Sequence, residues 1–172
     1  MKKMKRLVAV LLAGIMALAM LTACGGTPSA PVTRDNALEK SVAEWTVELG
    51  KGAKLDLTED ATLTAISDKC LPAGVKLWDA MIAKDQKAYF AAQTDLANNL
   101  KAAANGKKVA PVDVIVLKGT EVTKPVLAQA VQNGMSNIQT ILEQFGVKNP
   151  TKFGVTVTKQ DKYTLILFMV SE

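Results

Sequence analysis

Two spacings of apolar residues divide the chain after residue 35, a helical one through the first two thirds and a strand-like one near the end. Behind Asp35 or Asn36 as N-cap, Leu38, Val42, Trp45 and Leu49 recur at steps of four, three and four. Glu39, Lys40, Glu44 and Glu48 take the other faces, and Gly50 and Gly52 close the helix. Thr58 is placed to cap a second helix, with Glu59 and Asp60 in its first turn, running through Leu63 and Ile66 until Pro72 stops it. A helical pair follows, carrying Leu77, Trp78, Met81 and Ile82, then Tyr89, Phe90, Leu96 and Leu100, and ends at Asn105-Gly106.

The character changes at Pro111. The run VDVIVL, residues 112–117, is β-branched and apolar on both faces apart from Asp113, as expected of a strand covered on two sides. Thr120 or Thr123 then caps one long helix with Leu127, Val131, Ile138, Ile141, Leu142 and Phe145 as its stripe and Gly146 as its C-cap. After the Asn149-Pro150 turn, FGVTVT, KQDK and KYTLILFMV spell a hairpin. Facing Thr158 with Tyr163 brings Phe153 to Phe168 and Val155 to Ile166, and gathers Phe153, Val155, Val157, Ile166, Phe168 and Val170 on one face. The other face holds Thr156, Thr158 and Tyr163 but also Leu165, Leu167 and Met169, too apolar to stay bare, so helices or a partner must cover it. The expectation is a single α+β domain over residues 37–172. Its small, mainly antiparallel sheet has about three strands, near 112–117, 153–158 and 163–170, with helices on both faces.

The first residues are of another kind. MKKMKR precedes an apolar block of about 14 residues, LVAVLLAGIMALAM, roughly 21 Å as a helix, too short for a hydrocarbon core of about 30 Å. A basic head, an apolar block and small residues read as an export signal, residues 1–23. Leu21-Thr22-Ala23-Cys24 resembles the lipobox of bacterial lipoproteins, in which the thiol takes a diacylglyceryl group and the signal is cut just before it. An ordinary secretory signal with an incidental cysteine is the alternative. The resemblance implies membrane lipid as a partner through acylated Cys24, and a place on the extracytoplasmic side of the cell membrane. Two or three acyl chains hold a protein firmly where one would exchange. Residues 24–36 then carry the lipidated cysteine and a flexible tether. Its GGTPSAPVTR stretch spans roughly 35 Å fully extended and near 18 Å as a typical coil.

Charge follows from the same cut. The chain is +5, but four of its 21 basic residues, Lys2, Lys3, Lys5 and Arg6, leave with the signal, so 17 basic residues face 16 acids. A nucleic-acid surface, which needs clustered positive charge, is not expected. Arg34 is the last arginine and falls in the tether, so no bidentate arginine clamp is expected in the folded part. Histidine is absent, which excludes histidine triads, histidine bases and imidazole ligands. Cys70 has no intramolecular partner once Cys24 is lipidated, and its spacing with Leu63, Ile66 and Leu71 suggests a buried apolar side chain.

The order of helices, strand, long helix, Asn-Pro turn and closing hairpin resembles the CAP (SCP-like) superfamily of exported proteins. The stretch at 149–170, with Gly154-Val155-Thr156-Val157, carries it best, and residues 55–70 are loosely similar to that family's second helix. The family's cleft is built on two histidines, which this chain lacks, so the resemblance implies a degenerate, non-catalytic member and transfers no site residue.

Candidate chemistry is sparse. Asp113 is the lone charge in a buried strand, suited to a raised pKa. Lys118 and Glu121 lie in the loop LKGTEVTKP, beside free amides at a helix start where anions bind. These three are the candidate ligand-binding residues. Trp45 and Trp78 fall on or beside apolar stripes and read as core. No loop has the alternating acids of a calcium site and no cofactor motif occurs, so neither metal nor cofactor is expected. The preferred reading is a tethered binding or structural lipoprotein holding an envelope protein, wall polymer or small ligand. An envelope enzyme would need Asp113, Lys118 or Glu121 near the end of the first strand, and an interaction subunit would expose Leu165, Leu167 or Met169.

Overall fold

Three aspartates start the first three helices in the computed structural model, which describes residues 32–172. Asp35 accepts the Leu38 amide at 3.0 Å and opens α1, Asn36–Gly52. Asp60 accepts the amides of Thr62 at 2.7 Å and Leu63 at 3.2 Å and opens α2, Ala61–Ala83. Asp85 does the same for Ala88 at 3.0 Å and opens α3, Gln86–Ala104. A short carboxylate at this place satisfies amides that have no partner within the helix.

Thr58 is therefore not the cap of the second helix. Thr58–Glu59 is instead a two-residue strand, β1, parallel to the later strand β3, Lys152–Lys159, with the Thr58 amide on the Thr151 carbonyl at 2.8 Å. Nor does Pro72 end α2, which continues for eleven residues to Ala83. A proline there removes one amide bond to the preceding turn. Leu71 and Ala73 on either side are almost fully buried, and their packing holds the helix through the gap.

The remaining elements are β2, Ala110–Leu117; α4, Lys124–Asn133; α5, Met135–Gln144; and β4, Tyr163–Ser171. The single long helix expected after Thr123 is two, divided at Gly134. Glycine is a weak helix former, and at this junction its backbone turns to φ −100° and ψ 4°.

The sheet has four strands in the order β1-β3-β4-β2, antiparallel except for β1 beside β3. The fold is thus α+β with a mixed sheet, one short strand more than the pattern suggested. In the hairpin Thr158 stands opposite Leu165, Phe153 opposite Val170 and Val155 opposite Phe168, two residues displaced from the expected pairing. The strands run closer to the turn, where the Gln160 amide reaches the Tyr163 carbonyl at 2.7 Å. A slip of two leaves every side chain on its predicted face.

Each face has its own core. Phe153, Val155, Val157, Ile166 and Phe168 pack with Val112 and Val114 under Val42 of α1 and Leu127 of α4. The opposite face, with Ile115, Leu165, Leu167 and Met169, lies under Ile66, Leu71 and Trp78 of α2 and Leu96 and Leu100 of α3. Leu165, Leu167 and Met169 are at most 2 % exposed, so helices of the same chain, not a partner, cover this face. Cys70 is fully buried in this core, as its spacing suggested. Trp45 borders one core and Trp78 lies in the other, on opposite sides of the sheet.

Gly154 sets how near α2 comes. A Cβ built there would stand 2.0 Å from the Thr64 nitrogen and 2.2 Å from the Leu63 carbonyl carbon, so only glycine admits the helix backbone at this depth. Beside it, the Ser67 hydroxyl bonds to Thr156 Oγ1 at 2.7 Å and to the Leu167 carbonyl at 2.8 Å, pairing the polar groups this close contact buries.

Candidate functional site

Alternation along β2 sends Asp113 to the same side as Ile115, beneath α2, while Val112, Val114 and Val116 point the other way. There the Trp78 indole Nε1–H donates to Asp113 Oδ2 at 2.6 Å. Burial pushes the carboxyl up to about 6, and the indole bond, which favours the ionised form, opposes that shift. Asp113 is half-buried and holds a proton in mildly acidic solution.

A second polar pair lies nearer the hairpin turn. The Tyr163 hydroxyl is within reach of Asp79 Oδ1 at 3.0 Å and the Val75 carbonyl at 3.1 Å. Burial, and then the Asp79 carboxylate, raise the phenol well above its ordinary range, so it stays a donor at any working pH. Burial likewise pushes the Cys70 thiol up to about 12, which leaves it inert.

Asp113 and Lys118 do not converge. Lys118 and Glu121 are exposed in the loop beyond β2, and the Lys118 amide is fixed to the Lys162 carbonyl at 2.9 Å. Five residue steps separate Asp113 from Lys118, about 17 Å along the backbone. Among the described residues no group of three acids or thiols could hold a metal ion, and no buried side-chain nitrogen or oxygen lacks a hydrogen-bond partner. Asp113 can therefore store and release a proton, but Lys118 is not beside it to share a reaction.

One arrangement went unforeseen. Residues 32–35, expected in the tether, are fastened along β3: the Asp35 amide donates to the Val157 carbonyl at 2.8 Å and Thr158 Oγ1 to the Thr33 carbonyl at 2.8 Å. Lys159 Nζ meets Asp35 Oδ2 at 2.7 Å, and with the Leu38 amide it holds that carboxyl below its usual value. Glu39, expected on a polar face, is 7 % exposed; its Oε1 accepts the Val157 amide at 2.9 Å and Arg34 Nε at 2.8 Å. Its Oε2 takes Arg34 Nη2 at 2.5 Å, so an arginine–carboxylate fork does exist in the folded part. The fork and residues 32–35 occupy backbone groups of Val157 on the side of β3 away from β4, a device that closes an open sheet edge. The spacing Arg34-Asp35-Glu39 around a helix cap was the available signal, obscured by counting Arg34 as tether.

The expected signal, Cys24 and residues 25–31 lie outside the described residues. Among the described residues no helix is long and apolar enough to cross a membrane. Comparison of the chain with family models, with curated proteins and with solved structures gave no match in any of the three.

Proposed function

We propose that the chain is a membrane-anchored extracytoplasmic lipoprotein, held by acyl chains on Cys24, whose α+β domain binds or scaffolds an envelope component without catalysis. The observation that carries the reading is the order, within 24 residues, of basic head, apolar block, small residues and cysteine. The non-catalytic half is supported by the separation of Asp113 from Lys118 along β2 and by the missing histidine. An envelope protein or wall polymer is the partner class, and the CAP-like order of elements is compatible with such a binding role.

Mass spectrometry of the protein purified from membranes tests the anchor. The expected N-terminus is Cys24 bearing a diacylglyceryl thioether, and Cys24→Ser releases the chain from the membrane. An unmodified thiol, or a retained leader, would overturn it. A second reading, an envelope hydrolase working through Asp113, has the raised pKa of that half-buried carboxyl in its favour. Turnover of a wall or ester substrate by the wild type, abolished in Asp113→Asn, would establish that alternative.

A further inference from the structure

The fastened residues 32–35 fix where the preceding chain leaves the domain. Thr33 is held at Thr158 and Asp35 at Val157 and Lys159, so the exit lies beside the last residues of β3, at the end of the sheet that carries the hairpin turn. The same end presents Leu117, 40 % exposed, with exposed Lys118 and Lys162, whose backbones are joined at 2.9 Å. Asp161 and Glu121 are exposed nearby, and Lys159 is already engaged by Asp35.

From Cys24 to Val32 there are only eight residue steps, two of them into prolines. They reach about 28 Å at full stretch. A body of about 140 residues has a radius of gyration near 14 Å and is thus about 37 Å across. The leash is shorter than the body it holds, so the domain cannot turn its far side to the bilayer.

Resting on the lipid-anchor reading above, we propose that the hairpin end, with Leu117, Lys118 and Lys162, is the surface the domain lays against an anionic bilayer, the two lysine ammonium groups meeting lipid headgroup phosphates. An apolar residue flanked by lysines suits the interface, where anionic lipid attracts each cation within a Debye length. The opposite end of the sheet, with Lys148 and the Asn149-Pro150 turn, then faces outward, about 26 Å further away along β4.

The test uses the full acylated protein in vesicles of phosphatidylglycerol and phosphatidylcholine carrying a headgroup nitroxide lipid. Single cysteines are placed by Lys162→Cys or Lys148→Cys and labelled with bimane; Cys70 is fully buried and stays unlabelled. Quenching at position 162 is expected to exceed that at 148 at least about threefold, because nitroxide quenching falls off steeply beyond contact. In Lys118→Glu/Lys162→Glu, with the label at Lys159→Cys, membrane recovery should be unchanged while quenching at 159 drops by about half or more relative to the unreversed protein. Equal quenching at 162 and 148, with the protein recovered on vesicles, would overturn the orientation and leave the anchor standing. Undiminished quenching at 159 after charge reversal would overturn the assignment to headgroup phosphates. Failure of the wild-type chain to associate with vesicles at all would remove the anchor, and the orientation with it.

Discussion

Replacing Asp113 by asparagine isolates the cost of ionising a carboxyl beneath α2. Asparagine keeps an oxygen for the Trp78 N–H, which Asp113 accepts at 2.6 Å, but cannot ionise. The carboxyl rises from 3.8 unfolded to about 6 folded, a shift of roughly two units and therefore about 3 kcal/mol at full effect. The sign follows from proton binding. Because the folded pKa is the higher one, the folded state holds the proton more tightly; its stabilisation is complete below pH 3.8 and is lost as pH rises through about 6. At pH 4 wild type and Asp113→Asn should differ by under about 1 kcal/mol. At pH 7.5 the variant should be the more stable by an additional 2 kcal/mol or so, a midpoint gain near 1 M urea for an m-value of about 2 kcal/mol/M. Urea unfolding followed by tryptophan fluorescence at both pH values measures it, and titrations common to the two proteins cancel in the difference. A gain of the same size at pH 4 and pH 7.5, or a loss that grows with pH, would refute the burial argument.

Gly154→Ala should cost at least about 3 kcal/mol, seen as a fall in Tm of about 10 °C, since its methyl meets helix backbone at 2.0 Å rather than a movable side chain. Glu39→Ala should lose about 2–3 kcal/mol and speed hydrogen exchange at the Val157 amide, whereas Glu39→Gln, which retains the acceptor, should cost less in urea unfolding. The Cys70 thiol should stay unreactive toward a disulfide reagent at pH 8 in the native protein and react on addition of denaturant. Asp60→Ala should cost about 1 kcal/mol at neutral pH. Amides of Leu63 and Thr62 hold the Asp60 carboxyl below 3.8, so its contribution is present above that pH and is lost as pH falls through the lower folded value. The acid limb of the stability curve should be shallower in the variant.

The two sheet faces were legible because they rest on a period of two, which survived even a hairpin slipped by two residues. The strand at 58–59 was hidden because two residues carry no periodicity; it forms through pairing with residues 152–153, nearly a hundred positions away. Thr58 looked like a cap on local grounds, and that long-range pairing overrode the local preference. Pro72 misled for a related reason, since its cost is local while Leu71 and Ala73, which hold the helix across it, are seated by the far sheet. Of the candidate site, Asp113 could be picked out as an isolated charge in an apolar run. Its partner Trp78 lies 35 residues earlier, beyond any spacing rule. The Arg34–Glu39 fork itself is local and its spacing around the helix cap was readable, whereas the bond from the Val157 amide to Glu39 joins a strand edge more than a hundred residues on and was not.

The strand order has a consequence for what holds the two layers together. β4 comes last in order among the described elements, yet it lies between β3 and β2, which do not pair with each other, and it supplies residues to the main cores on both faces. Without residues 163–171, β3 and β2 would share no partner and the helices over both faces would lose part of the floor they pack on. Neither core is therefore complete without that strand in the middle of the sheet.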